Sequence, residues 1–273
     1  MSVDGQSHDI YDLRGRELGK FIADYTERDA ILYALAVGAQ AGELALVYER
    51  DLRALPTIAL AMGLWAVERV HESGFYDATR ALHVSQRLRV KTPLSAAGTL
   101  TMGARVSEVW DKGSAAVLEI EVDAAEFIAT YGIYVPGAGG WGGDRGPARE
   151  AEEEGEPDVE LQTPTSVRQA VLYRLTGDRH PVHIDPVVAA AGGFERPILH
   201  GLCTLGAVVL SLAREVGADP ASLAELRAGF TAPVLPGDCL SSRAWGRGRG
   251  EFSFETRVGD RRVLAGGRVR FSQ

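Results

Sequence analysis

The chain has 273 residues, of which 45% are hydrophobic, and a formal net charge of −8 at pH 7. This length and hydrophobic content suffice for one large domain or two small ones, and the acidic balance argues against a nucleic-acid-binding protein. The N-terminus lacks signal-peptide order, and no apolar run is long enough to cross a bilayer. Cys203 and Cys239 form no CxxC motif, which fits a reducing compartment. We therefore expect a cytoplasmic protein whose partners include neither nucleic acid nor a membrane.

The two halves of the chain repeat one order of predicted elements. Each half has a short helical pattern, a longer apolar helical pattern and then several strand patterns. In the first half these cover residues 25–39, 55–67, 91–110 and 115–124, and in the second half residues 173–194, 196–212, 231–248, 251–258 and 261–271. Apolar and polar residues alternate with period two at 118–122 and 252–258. The repeat predicts a duplicated α+β fold, with an antiparallel sheet wrapped around a buried helix in each copy.

A glycine-rich and then acidic stretch lies between the two copies. Residues 135–160 contain few apolar side chains, which is typical of a linker or long loop. We therefore predict an N-terminal domain over residues 1–134, a linker over 135–160 and a C-terminal domain over 161–273.

The second copy contains the polar motif TGDRHPVHIDP, residues 176–186. Asp185 followed by Pro186 is typical of a helix start, with an N-cap side chain and proline at the first position. This helix start does not explain Asp178, His180 and His183, which serve either catalysis or hydrogen bonds within the loop. In principle these three side chains could bind a metal ion. The intervening Pro181 and the lack of helical spacing argue against it, so we expect no metal.

The predicted buried helix of the second copy runs from Gly201 to Val216 and is followed by Gly217, a typical helix terminator. The apolar side chains on one face are Leu202, Leu205, Val208, Val209, Leu212 and Val216. The helix begins at Gly201, immediately after His200. A helix N-terminus without a side chain presents bare N–H groups and the positive end of the dipole, which can hold an oxyanion.

Residues 177–206 resemble the hydratase 2 signature of the MaoC-like (R)-specific 2-enoyl-CoA hydratases. Residues 26–39, 82–100 and 137–147 are similar to stretches of the two-domain members, so the resemblance spans nearly the whole chain. It implies a double hot-dog fold, made of two tandem hot-dog domains. The implied reaction is the hydration of trans-2-enoyl-CoA to (3R)-hydroxyacyl-CoA, and the reverse. The CoA thioester is the substrate, and no cofactor is implied.

The resemblance also implies roles for particular residues. Asp178 and His183 stand at the positions of the catalytic dyad that holds a water, and Gly201 at the position whose N–H binds the thioester oxygen. Which member of the dyad is base and which is acid stays open. His180 replaces the asparagine usual in the family, so we expect retained activity with a shifted pH profile. We expect His200 to orient the helix start through a loop hydrogen bond more than to contact substrate.

The first copy has no histidine at the matching positions, which predicts one catalytic site per chain, within residues 161–273. By resemblance, the first domain shapes the acyl cavity. Arg243, Arg247 and Arg249 could bind the CoA phosphates, although such arginines are more often solvated turn residues.

Other functions compatible with the fold are a non-catalytic acyl-CoA-binding protein, a dehydratase of acyl-carrier-protein or steroid side-chain thioesters, and a thioesterase. Binding without turnover would identify the first of these, and release of free CoA the last. The sequence leaves the acyl chain length and the oligomer open, a homodimer of double hot-dog protomers included.

Overall fold

Ten strands pair in one antiparallel sheet in the computed structural model, which describes residues 9–77, 80–148, 153 and 155–272. The strands of the first half are β1 (Glu17–Tyr25), β2 (Leu82–Val90), β3 (Gly98–Asp111), β4 (Ala115–Asp123) and β5 (Phe127–Pro136). Those of the second half are β6 (Val159–Pro164), β7 (Leu223–Phe230), β8 (Cys239–Gly248), β9 (Glu251–Val258) and β10 (Arg261–Phe271).

The strand order shows the duplication directly. It runs β1-β3-β4-β5-β2 and continues β7-β10-β9-β8-β6, so each half has the same order when it is followed inward from its outer edge. The halves join where β2 pairs antiparallel with β7, with Ser85 opposite Gly229 and Arg89 opposite Glu225. The predicted α+β, double hot-dog fold is confirmed. Because the sheet continues from one half into the other, the inner edge strand of each half is paired.

Seven α-helices lie in the described residues. They are α1 (Glu27–Ala36), α2 (Leu44–Val47), α3 (Ile58–Met62), α4 (Trp65–His71), α5 (Gln169–Tyr173), α6 (Pro186–Ala191) and α7 (Gly201–Glu215). Short 3-10 turns cover Ile10–Leu13, Arg174–Thr176, Pro181–His183 and Pro220–Ser222.

The predicted buried helix of the second half is α7. Most of its side chains are buried in the core, and it ends one residue before the predicted end, with Val216 as its C-cap. Gly217 follows in the left-handed region with a φ of 67°. The predicted start of α6 is also confirmed, because the Asp185 carboxylate accepts the N–H of Val187 at 2.8 Å.

The central helix of the first half is broken into α3 and α4. The Tyr131 hydroxyl donates to the main-chain carbonyl of Leu60 at 2.8 Å, and this is the carbonyl that Leu64 N–H would use in a continuous helix. The N–H of Leu64 instead lies 3.4 Å from the carbonyl of Ala61. Gly63 permits this arrangement, since a Cβ there would lie 2.4 Å from the Tyr131 hydroxyl.

Five of the ten strands, β1, β2, β5, β6 and β7, have no counterpart in the predicted element order, in which each copy begins with a helix. Among the described strands, β1 and β6 are the outer strands of the sheet. Each precedes the α-helices of its half and pairs along one side, with β3 or β8. Most of β1 is exposed, so its residues need no strict alternation. β6 begins at Val159, one residue before the predicted end of the linker at residue 160, and β5 runs to Pro136, past the predicted end of the first domain.

The glycine-rich segment after β5 folds around one carboxylate. Asp111, at the end of β3, accepts the N–H groups of Gly113, Gly140, Gly142 and Gly143 at 2.8–3.2 Å. Gly140 has a φ of 96°, a conformation that side chains disfavour. These backbone donors lower the pKa of Asp111 to about 2. This glycine-rich part of the predicted linker is therefore held against the end of the β3–β4 hairpin.

We expect Asp111→Asn to lower the melting temperature at pH 7, because an amide has one acceptor oxygen where the carboxylate has two. The folded pKa of Asp111 lies below the ordinary 3.8, so its charge stabilises the fold above about pH 4, and this contribution is lost as the pH falls toward 2. Melting curves of wild type and variant should therefore converge over this range.

Asp123→Asn is the matched control, because within the described residues that side chain pairs with Lys91 at a partly exposed site. Equal melting temperatures for wild type and Asp111→Asn at pH 7 would contradict the account of this loop.

Candidate active site

The polar motif of the second half forms a loop, residues 174–185, that rests on the first half of the chain. Gly177 has a φ of 144°, and a Cβ there would lie 3.2 Å from the Ala61 carbonyl oxygen in α3. A glycine is therefore needed both for the backbone conformation and for the close approach. The position of Asp178, the next residue, depends on packing between the two halves.

Asp178 and His183 face each other inside this loop. Asp178 Oδ2 and His183 Nε2 are 4.0 Å apart, and the two side chains are 15% and 12% exposed. The other ring nitrogen of His183, Nδ1, lies 2.9 Å from the main-chain oxygen of Ile198. Because a carbonyl can only accept, Nδ1 carries the proton and Nε2 presents its lone pair to Asp178.

The gap between these two acceptors suits a water molecule. At 4.0 Å they do not hydrogen-bond directly. A water placed about 2.8 Å from each could donate one hydrogen to the carboxylate and one to the imidazole. Its lone pairs would then be free to attack an electrophile. The arrangement can therefore orient a nucleophilic water and accept its proton.

Electrostatics keep the imidazole in the form that this geometry needs. Burial lowers the pKa of His183, while the charge of Asp178 and the bond to Ile198 partly offset that effect. A neutral His183 at pH 7 is a proton acceptor at Nε2.

His200 lies directly behind this pair. Its ring stacks on that of His183, with centroids 3.7 Å apart and planes 26° apart. Its Nε2–H donates to the main-chain oxygen of Asp178 at 3.2 Å. Burial, followed by the neighbouring His183, lowers the pKa of His200 to about 3. Its two contacts thus reach both members of the pair.

Gly201 is the first residue of α7. His200 is the N-cap residue, yet no side chain among the described residues caps this helix. The first-turn N–H groups, that of Gly201 among them, are available to a ligand oxygen. A Cβ at Gly201 would lie 3.2 Å from the ring of Phe230, so a larger residue there would require that ring to shift.

His180, the residue that departs from the family pattern, is exposed and caps the Pro181–His183 turn. Its Nδ1 accepts the N–H of Val182 at 3.3 Å, and its own N–H donates to Asp178 Oδ1 at 3.1 Å. An asparagine Oδ1 could accept the same N–H, so the ring nitrogen takes over a capping role that an amide can perform. This role requires an unprotonated Nδ1.

The first half supplies a residue that the sequence did not single out. His83, on β2, makes a T-shaped contact with Phe230 at a centroid distance of 4.9 Å. Its Nε2–H donates to the Ser85 carbonyl at 3.0 Å, and burial lowers its pKa to about 4. Phe230 in turn covers Gly201. Only the pairing of β2 with β7 brings His83 here, and no local sequence pattern signals that.

Asp178, His183, His200 and Gly201 are brought together, whereas the three predicted phosphate-binding arginines have other contacts. Arg243 pairs with Glu160, and Arg247 pairs with Glu153 and donates to Ser253. Arg249 occupies a turn with a φ of 52°. In the described part of the chain, none of these contacts joins the arginines to Asp178, His183 or Gly201.

The side chains that could offer ligand atoms to one metal ion are Asp178, His183 and His200, whose candidate atoms lie within 4.8 Å of one another. His180, which the sequence suggested in this role, is not in this group. The two imidazoles of the group are stacked. Lone pairs in two stacked ring planes do not converge on an ion about 2.1 Å from each nitrogen. The geometry favours hydrogen bonding to water over coordination of a cation.

Comparison with known proteins gives matches over nearly the whole chain. Residues 149–267 match the family described as MaoC like domain, and residues 23–129 match the family described as MFE-2 hydratase 2 N-terminal domain. The chain is 38% identical over 256 residues to 3-hydroxyacyl-thioester dehydratase Y of Mycobacterium tuberculosis, covering 86% of this chain and 87% of the relative. It is 32% identical over 275 residues to peroxisomal enoyl-CoA hydratase 2 of Arabidopsis thaliana, covering 89% of each.

Among solved structures, the crystal structure of a MaoC-like dehydratase from Phytophthora capsici superimposes with a TM-score of 0.86. The two chains are 27% identical, and the match covers 97% of this chain and 98% of that one.

We expect ring-nitrogen NMR of ¹⁵N-histidine-labelled protein to show His183 neutral at pH 7 with its proton on Nδ1. The reason is its bond to Ile198 together with a pKa below the ordinary 6.5. A His183→Gln variant assigns the signal. A ring protonated on both nitrogens at pH 7, or on Nε2 alone, would contradict this reading of the site.

Proposed function

The chain belongs to the MaoC-like hydratase family, and from this premise we infer that it catalyses (R)-specific hydration of trans-2-enoyl-CoA to (3R)-hydroxyacyl-CoA, and the reverse dehydration. It is a hydro-lyase. The observation that carries the inference is the 4.0 Å gap between two acceptors, Asp178 Oδ2 and His183 Nε2, beside the uncapped start of α7.

In the proposed mechanism one water supplies the groups that are added to both carbons of the double bond. Held by Asp178 and His183, it attacks C3 of the enoyl thioester through an oxygen lone pair. The C3–O bond forms as the π bond breaks, and the proton that the water loses passes to the dyad. The dyad returns a proton to C2. Since the hydroxyl and the proton come from one place, both add to the same face.

Gly201 is proposed to hold the charge that develops on the thioester oxygen. As C3 is attacked, that oxygen gains enolate character. The free N–H groups at the start of α7 are fixed donors in a site with little water, where they stabilise this charge without reorganisation. Removing such a donor costs about 10²–10³ in rate in other enzymes.

The first half of the chain is proposed to shape the acyl cavity and to have no chemistry of its own. Its contacts with the site support this role, since Ala61 touches Gly177 and His83 touches Phe230. The proposed reaction needs neither a cofactor nor a metal. The carboxylate and the imidazole transfer the proton, and the backbone N–H groups stabilise the charge on the thioester oxygen. We propose that the CoA phosphates are bound by Arg243, Arg247 and Arg249. The positive charge of these side chains is the reason for the proposal.

We propose a cytoplasmic protein that acts on CoA thioesters. None of the helices in the described residues is long and apolar enough to cross a membrane. We also propose that two such chains pair as a homodimer.

The first test follows the loss of enoyl-thioester absorbance with a short-chain and a long-chain 2-enoyl-CoA. We expect turnover by the wild type and a fall in kcat of about 10²–10⁴-fold in Asp178→Asn, because an amide is a poor proton acceptor. Asp185→Asn is the matched control, since the Asp185 side chain caps α6 and asparagine caps equally well. Binding of both substrates without turnover by the wild type would instead identify a non-catalytic acyl-CoA-binding protein.

The second test is the pH dependence of kcat in His180→Asn. An asparagine oxygen can accept the N–H of Val182 as His180 Nδ1 does, but its amide does not ionise. We expect the variant to retain activity, with a pH profile that differs from that of the wild type.

Melting curves over the same pH range separate this effect from acid unfolding. Superimposable pH profiles for wild type and His180→Asn would show that His180 does not tune the site.

A further inference from the structure

A chain of buried polar rings leads from the dyad into the contact between the two halves. His183 stacks on His200, and the His200 ring lies 4.8 Å from that of Tyr173 in α5. Tyr173 lies 6.0 Å, centroid to centroid, from Tyr33 in α1 of the first half. His200, Tyr173 and Tyr33 are each at most 1% exposed. The dyad is thus connected through the core to the other half of the protein.

Three polar atoms of these four rings have no hydrogen-bond partner within the described residues. They are His200 Nδ1, the Tyr173 hydroxyl and the Tyr33 hydroxyl. Burial raises the pKa of Tyr33, and the nearby side chains of Thr57 and Tyr173 partly offset it, although neither makes a direct bond of normal geometry. An unsatisfied buried polar atom costs about 1–3 kcal/mol, so three neighbouring ones point to a shared internal partner.

The donors and acceptors of the three groups are complementary. Because His200 Nε2 donates to the Asp178 carbonyl, His200 Nδ1 is an acceptor. Each tyrosine hydroxyl can donate and accept. One water among them would make three hydrogen bonds, which is the usual number for a buried water.

The tautomer of His200 depends on what faces Nδ1. With a donor there, the proton stays on Nε2, where it bonds to the Asp178 carbonyl. If the proton moved to Nδ1, the lone pair of Nε2 would face the lone pairs of that carbonyl. The resulting repulsion would push the 174–185 loop away from α7 and move Asp178 relative to His183.

We propose that Tyr173 and Tyr33 are positioning residues of the hydratase. Through one buried water their hydroxyls supply the donor at His200 Nδ1, and so fix the tautomer that holds Asp178 in place. The proposal rests on the proposed hydratase function. It gives the first half a part in catalysis beyond shaping the cavity, since Tyr33 belongs to that half.

The test compares Tyr173→Phe, Tyr33→Phe and the double variant with wild type. Phenylalanine keeps the ring packing and removes only the hydroxyl. We expect kcat of the double variant to fall between about 10- and 100-fold, as for other small displacements of a reacting group, with KM little changed. Ring-nitrogen NMR should show a population of His200 with its proton on Nδ1. The effects of the two single variants should not add, because both act through one water.

Tyr25→Phe is the matched control. That buried hydroxyl donates to the Ser95 carbonyl at 2.8 Å, so the variant loses a hydroxyl and some stability with no link to His200. Its kcat and the His200 spectrum should stay as in wild type. If the double variant does not fold, the same readouts on Tyr33→Phe decide, because Tyr33 is the hydroxyl farther along the chain of rings from the dyad.

Wild-type kcat and an unchanged His200 tautomer in folded Tyr33→Phe and Tyr173→Phe would overturn the proposal. The NMR readout needs no turnover. If the wild type itself proved inactive, the tautomer would still test the positioning role apart from the hydratase function.

Discussion

The hydrogen bond from His200 Nε2–H to the Asp178 carbonyl is the constraint on which the site depends. His200 precedes the first residue of α7, stacks on His183 and holds the main chain of Asp178. One ring thus sets the distance between the water-binding pair and the helix N-terminus that carries the oxyanion donors. Because His200 is fully buried, solvent cannot replace that bond, and its loss would leave a carbonyl and an imidazole nitrogen unpaired.

The two halves of the duplicated fold have different structural roles. In the second half α7 is continuous and starts at the site, whereas in the first half Tyr131 takes the Leu60 carbonyl and breaks the central helix. The break lies close to Ala61, the residue on which Gly177 rests. We regard the loss of a regular helix in the first half as part of what allows the loop of the second half to dock there.

The sequence predicted those features that have a local pattern. Alternation identified β4 and β9, the apolar face identified α7, and the Asp185-Pro186 pair identified the start of α6. Asp178 and His183 were visible because both lie on one short loop. The strands β1, β2, β5, β6 and β7 were not predicted. The outer strands β1 and β6 are selected by their pairing with β3 and β8 and not by their own alternation. The stacking of His200 on His183, and the approach of His83 to Phe230, arise only when distant segments pack.

In the proposed reaction a single water, held between Asp178 and His183, supplies both the hydroxyl and the proton. The most direct test is hydration of a trans-2-enoyl-CoA in D₂O, followed by determination of the configuration at C2 and C3 of the product. We expect a (3R)-hydroxyl with deuterium added to the same face at C2. Addition of deuterium to the opposite face, or a (3S)-alcohol, would contradict it.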